Sequence, residues 1–207
     1  LLDDIGVEVK RHDPVNNTFS LELLANRGDH HCYVGLAREI SGRTGDAICG
    51  PEFTELHVGT GNIEVRLQTD LCSRYSATVL TRSGDSTPLN TADIGPLDAA
   101  EIHSVSPAVD ATNLSNIELG QPTHCFDADT ISGPITIRLS KPGEQAWPLF
   151  AENKVEIPAG CVVIADDEKI LAIAGVIGCE ESKTTEATQR IVLESAAFDP
   201  VAVRKAS

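Results

Sequence analysis

The sequence predicts an α+β chain, with mixed and largely antiparallel sheets and flanking helices. Three observations carry this. Strand-like segments outnumber helical ones and do not alternate with them regularly, which argues against a doubly wound parallel sheet. TFSLELLA and NIEVRLQ alternate apolar and polar residues, as half-buried strands do. No repeat of about 20–50 residues and no low-complexity tract is present, so a solenoid or array is excluded. A chain of 207 residues suits one good core, or two small layers sharing one. We read it as a single domain over 1–207, with 1–17 as a short lead-in.

The elements follow in order. Leu1 to Lys10 reads as a helix end stopped by Gly6, then the short strand VEVK. HDPVNN (His12 to Asn17) is turn chemistry, and TFSLELLA (Thr18 to Ala25) is a strand. NRGDHH (Asn26 to His31) is a loop whose Asp29 is placed to cap the next helix. An RGD adhesion reading of that loop is weak, because tripeptides recur by chance. The helix CYVGLAREISGRTG sets Val34, Ala37 and Ile40 on one face and stops at Gly42 or Gly45. GPEFTELHVGTG is loop and extended chain. NIEVRLQ (Asn62 to Gln68) and TDLCSRYSATVLTR are strands, and GDSTP is a loop. Pro96 opens a short helix, PLDAAEIHS (Pro96 to Ser104). A helix from about Asp110 to Leu119 ends at Gly120, and a Gln121-Pro122 turn leads into extended HCFD. GPITIRLS is a strand, KPGEQAWPLF a hairpin-like excursion, and KVEIPAG a strand and turn. CVVIADDEKILAIAGVIG reads as a β-hairpin: Val162 to Ala165, a turn at DDEK, and a return from Ile170 to Ala174. The run Asp166, Asp167, Glu168 is a solvated turn. SKTTEATQ is polar loop, RIVLESA (Arg190 to Ala196) a buried strand, and FDPVAVRKAS opens a helix with Pro200 in its first turn.

The hydrophobic fraction of 41% and charged fraction of 23% are ordinary for a globular protein. No apolar run approaches the ~20 residues a bilayer span needs. The longest, ILAIAGVIGC, is strand and turn. LLDDIGVEVK lacks the basic and apolar regions of a secretion signal. The six cysteines form no CxxC and none has a histidine at zinc-knuckle spacing. The expectation is a cytoplasmic chain with reduced thiols, no metal, no cofactor and no membrane partner. The net charge of -15 makes it a poor stand-alone binder of nucleic acid, because Lys and Arg supply most of that affinity. No methionine occurs, which reads as a fragment or a product shown without its start.

The stretch richest in chemistry is VDATNLSNIELGQPTHCFD (Val109 to Asp127). His124 follows a Gly-Gln-Pro turn. On spacing alone a structural histidine is favoured; a water-orienting base is the alternative. Thr112 and Asn113 precede it by twelve and eleven residues, and read as helix-capping groups or as pocket donors and acceptors. Cys125 adjoins His124, but neighbours in extended chain point to opposite faces, so a Cys-His pair is geometrically poor. GVIGCEES (Gly175 to Ser182) lacks the Gly-Lys-Ser/Thr ending of a phosphate loop, and its glycines allow either left-handed turns or close approach of backbone to a ligand. Glu194 is the most informative residue. It stands among apolar and small residues in IVLESAAF, where a carboxylate is costly unless paired. It reads as a recognition group for a substrate hydroxyl or amine, or as a structural partner of backbone or arginine.

LANRGDHHCYVGLAREISGRTG, CSRYSATVL, VDATNLSNIELGQPTHCFDAD, VVIADDEKILAIAGVIGCEES and TTEATQRIVLESAAFDPVAVRKAS occur in fixed order over nearly the whole chain. Together they resemble the B3/B4 region of the β subunit of bacterial phenylalanyl-tRNA synthetase. The resemblance implies a B3/B4 domain fold and an editing domain that hydrolyses mischarged Tyr-tRNA(Phe), by double-sieve logic. Thr112, Asn113 and His124 match the family's editing-pocket positions, Gly178 a pocket-lining glycine, and Glu194 the carboxylate that recognises the tyrosine hydroxyl. The implied partners are the 3′ end of tRNA(Phe), the synthetase α subunit and the remaining β-subunit domains. Aminoacylation is not expected of this chain alone.

The chain departs from the family pattern at several points. Gly28 stands where NRPD has proline, EIHSVSP (Glu101 to Pro107) replaces a GLRPINN-like segment, and Cys179 ends the GVMGG-like loop. HDPVNN occupies the place of the oligonucleotide-binding insert. The chain stops at RKAS, before a segment expected to complete the pocket. These departures and the -15 charge support a competing reading: a non-catalytic paralogue that binds an amino acid, RNA or a protein partner.

Overall fold

A computed structural model of the chain describes residues 1–50, 63–83 and 91–207, with side chains in the last stretch described from 94 onward. In chain order the elements are β1 (Glu8–Asp13), β2 (Thr18–Glu22), α1 (Tyr33–Thr44), β3 (Val65–Leu67), β4 (Cys72–Thr81), α2 (Thr91–Ala99), α3 (Pro107–Leu119) and β5 (Thr123–Asp127). They continue with β6 (Ile135–Leu139), β7 (Gln145–Ala146), β8 (Val155–Glu156), β9 (Val162–Ala165), β10 (Ile170–Ile173), β11 (Ile177–Gly178), β12 (Arg190–Phe198) and α4 (Pro200–Ala206). The α+β class read from the sequence is the one observed. Among the described strands only β3 and β6 pair in parallel. The GDSTP loop and most of GPEFTELHVGTG lie outside the described residues. The sequence reads as one domain; its contacts gather into two compact units, Leu1–Leu56 with Pro88–Pro122, and His57–Thr87 with Thr123–Ser207.

The first unit holds the β1–β2 hairpin and helices α1 to α3. Three local expectations change here. Asp29 does not cap α1; Cys32 does, its Sγ accepting the Gly35 N–H at 3.4 Å. The Asp29 carboxylate is held instead by Arg27 at 2.8 and 3.0 Å. α2 does not open at Pro96 but runs through it and stops at Ala99. Its end is closed by Ile102 N–H to Leu97 O at 2.9 Å and Glu101 N–H to Asp98 O at 3.0 Å, with Glu101 at φ 58. α3 starts at Pro107, not near Asp110, because Ser106 caps it through Val109 N–H and Pro107 suits the first turn. Asp110 instead accepts from Ser104 Oγ at 2.6 Å and Val105 N–H at 2.8 Å, tying down the segment before the helix. Gly120, left-handed at φ 74, ends the helix as expected.

The second unit is built on a five-stranded mixed sheet, ordered β11-β10-β9-β6-β3, and a three-stranded antiparallel sheet, β4-β12-β5. Ile135, Ile137, Val162, Ile164 and Leu171 of the first sheet pack with Phe126 and Val192 of the second. Val163, Ala165, Ile170 and Ile173 form a second cluster with Ala146, Ile157 and Cys179. A sheet covered on both faces explains why VVIA and ILAI are continuously apolar. The β9–β10 hairpin falls where its sequence places it. Its turn is not simply solvated, however. Asp166 is buried and accepts from the N–H groups of Ser132, Glu168 and Lys169 and from the Lys169 ammonium. Burial opposes its ionisation, but these donors outweigh it and hold the carboxyl below the usual range. Among the described residues no helix is long and apolar enough to cross a membrane.

Candidate functional site

β12 is the middle strand of its sheet, so its residues are partnered on both sides. Glu194 stands opposite His124 on β5 and Ala77 on β4. Residues two apart share a face. Val192, Glu194 and Ala196 therefore look the same way as His124 and Phe126 on one side, and as Tyr75, Ala77 and Val79 on the other. Phe126 and Val192, both fully buried, show that this is the core-facing side.

Glu194 is 6% exposed, and no hydrogen bond or ion pair reaches its carboxylate among the described residues. Burial alone pushes the carboxyl up to about 7. The structural alternative read from sequence, a bond to backbone or to arginine, is not made among the described residues. Such a group forfeits about 1–3 kcal/mol unless a ligand completes it.

His124 sits beside it. Its ring meets Phe126 edge-on, centroids 4.7 Å apart at 71°. Burial lowers its pKa, so the imidazole is neutral near pH 7 and keeps a lone pair for accepting a proton. Gly178 closes one side. A Cβ there would lie 2.7 Å from both Cε1 and Nε2 of His124 and 3.2 Å from Leu149. Of the two readings of its glycine-rich loop, the left-handed turn is met at Gly175, at φ 69, and not at Gly178.

The remaining polar residues divide clearly. Tyr75, not singled out from sequence, has a buried hydroxyl with no hydrogen-bond partner among the described residues. Burial, and then the nearby Glu194 carboxylate, disfavour its phenolate. Cys125 points to the other face, 4.0 Å from Thr184 Oγ1, and burial pushes its thiol up. Cys179 is pushed up to about 11. Neither supplies a thiolate nucleophile at neutral pH.

Thr112 and Asn113 lie on α3 in the first unit. Thr112 is buried, and its hydroxyl donates to Val109 O at 2.7 Å. Capping of α3 falls to Ser106, so neither residue performs the capping role that competed with a functional one.

Asp29, His30 and Glu39, also in the first unit, bring ligand-type atoms within 4.8 Å of one another. Arg27 donates to both carboxylates, so the cluster already contains its own cation. A groove of about 480 Å³, lined by Ile63, Glu64, Val79, Thr81, Ile131 and Arg190 among others, includes none of the residues singled out from sequence.

Residues 71–207 match the B3/4 domain family. The phenylalanine–tRNA ligase beta subunit of Idiomarina loihiensis is 38% identical over 193 residues, 91% of this chain and 24% of that protein. The same subunit of Dechloromonas aromatica is 35% identical over 202 residues, 96% of this chain and 25% of that protein. This chain thus spans about a quarter of the length of the curated relatives it matches. The crystal structure of an N-terminal fragment of the phenylalanyl-tRNA synthetase beta subunit from Pyrococcus horikoshii covers 98% of this chain and 62% of the fragment. Its TM-score is 0.50 at 16% identity, a likeness of fold.

Proposed function

We propose, from the premise that this chain belongs to the B3/4 domain family of phenylalanine–tRNA ligase beta subunits, that it is an editing module over 1–207 hydrolysing Tyr-tRNA(Phe) in cytoplasmic protein synthesis. The observation that carries this reading is the pair formed by Glu194 and His124. They are register partners on one buried face: an unpaired carboxylate beside a neutral imidazole. A carboxylate buried without a partner suits a ligand that brings a hydroxyl into an apolar site. Phenylalanine would leave it unpaired.

In the reaction, the aryl group of the mischarged residue lies among apolar side chains with its hydroxyl on Glu194. Neutral His124 accepts a proton from a water as that water attacks the ester carbonyl. The bond to the ribose oxygen breaks, the ribose oxygen takes up a proton, and free tyrosine and tRNA leave. Thr112 and Asn113 are assigned to the reaction only through their match to the family's VDATN motif. Gly178 admits the imidazole where any side chain would displace it.

A chain of net charge -15 neutralises few phosphates. The body of the tRNA is accordingly assigned to the α subunit and the remaining β-subunit domains. Hydrolysis of Tyr-tRNA(Phe) by the wild-type chain and by His124→Ala tests this. A loss of about 10²-fold or more is expected for the variant, and undiminished hydrolysis would sink the role given to His124.

A further inference from the structure

Two polar groups on the inner face of the three-stranded sheet are buried without a partner among the described residues: the Glu194 carboxylate and the Tyr75 hydroxyl. The strand register brings them together. Tyr75 on β4 is opposite Ala196 on β12, and Glu194 on β12 is opposite Ala77 on β4. Glu194 and Tyr75 are thus diagonal neighbours on one face, with backbones about 7–8 Å apart, and the other diagonal is two alanines. The two alanines place only methyl groups beside the polar pair.

The groups are complementary. An ionised carboxylate only accepts, and a tyrosine hydroxyl donates. A bound phenol oxygen can satisfy both at once, giving its own proton to the carboxylate and receiving one from the tyrosine. Two hydrogen bonds of ~2.7 Å through one oxygen suit a span of this size. A tyrosine that only filled the core would turn its hydroxyl to a carbonyl or to solvent, as buried tyrosines usually do.

We propose that Tyr75 is a specificity-determining residue, its hydroxyl donating to the phenolic oxygen of the same tyrosyl group whose O–H Glu194 accepts. The proposal rests on the editing reading above. A phenylalanyl group offers neither half of this exchange and leaves both protein groups unpaired. Discrimination is thereby shared between a donor and an acceptor on neighbouring strands, and does not rest on Glu194 alone.

The test is single-turnover hydrolysis of Tyr-tRNA(Phe), Phe-tRNA(Phe) and the 4-aminophenylalanyl ester by the full chain, wild type, Tyr75→Phe and Glu194→Gln. Tyr75→Phe keeps the ring and removes only the hydroxyl. Its expected effect is about a tenfold loss in the tyrosyl rate, with the phenylalanyl rate unchanged. The 4-amino ester should lose less than the tyrosyl ester, since its N–H groups still donate to Glu194 while its nitrogen accepts poorly. If Tyr75→Phe leaves the tyrosyl-to-phenylalanyl ratio at its wild-type value while Glu194→Gln lowers it, the role of Tyr75 is overturned and the editing reading stands. If wild type hydrolyses neither natural ester above the buffer rate, the editing reading falls and takes this role with it.

Discussion

Replacing Glu194 with glutamine should change stability in a pH-dependent way. In the folded chain, burial raises this carboxyl from its ordinary 4.5 to about 7. Folding therefore favours the protonated form. The associated stability is fully present below pH 4.5 and is lost as pH rises through about 7; above that it changes no further. The interval corresponds to roughly 3 kcal/mol. It applies nearly in full, because only 6% of the residue is exposed. Glutamine keeps the shape and cannot ionise, so Glu194→Gln escapes the loss. The assay is urea unfolding of both chains from pH 4.5 to 8, read as the difference between them so that other titrating groups cancel. The variant should gain on wild type by roughly 3 kcal/mol across that range. A difference that stays flat with pH would refute the claim that this carboxylate is buried without a partner.

Gly178→Ala should destabilise the chain by about 1–3 kcal/mol and lower ester hydrolysis at least tenfold, because the new Cβ lies 2.7 Å from the His124 ring. Wild-type denaturation and rates would contradict that packing. In Glu194→Gln, which removes the carboxyl titrating near 7, hydrolysis should persist on the acid side to a midpoint below 6.5, since burial depresses His124 and its neutral form is lost only as pH falls through the lowered value; a midpoint above 6.5 in that variant would exclude it as the base. Asp166→Ala strands four donors from Ser132, Glu168 and Lys169, and should cost about 3 kcal/mol in chemical denaturation. An unchanged midpoint would show the turn to be solvated after all.

What was legible in the sequence was local. The β9–β10 hairpin announced itself by two apolar runs around DDEK, Gly120 stops α3 as expected, and of Gly42 and Gly45 it is Gly45 that stops α1. Glu194 stood out because a carboxylate interrupts an apolar strand. α3 starts at Pro107, ahead of the boundary near Asp110, on the recognisable cap-and-proline signal Ser106-Pro107. The end of α2 had no glycine to mark it; Glu101 adopts the left-handed turn instead. Asp166 read as surface because its donors include Ser132, far away in sequence. The site depended on pairing. That Glu194 faces His124, and that Tyr75 shares their side of the sheet, follows from β12 lying between β4 and β5. No local pattern encodes that order. Tyr75 lay in plain view in CSRYSATVL, but nothing short of the register marks its hydroxyl as buried and unpaired.

The most direct measurement is the ratio of hydrolysis rates for Tyr-tRNA(Phe) and Phe-tRNA(Phe) with the wild-type chain at neutral pH. A buried carboxylate awaiting a hydroxyl, beside a neutral imidazole, predicts the tyrosyl ester to be cleaved at least about tenfold faster than the phenylalanyl ester and well above the buffer rate. Equal rates for the two esters, or no cleavage above buffer, would contradict it.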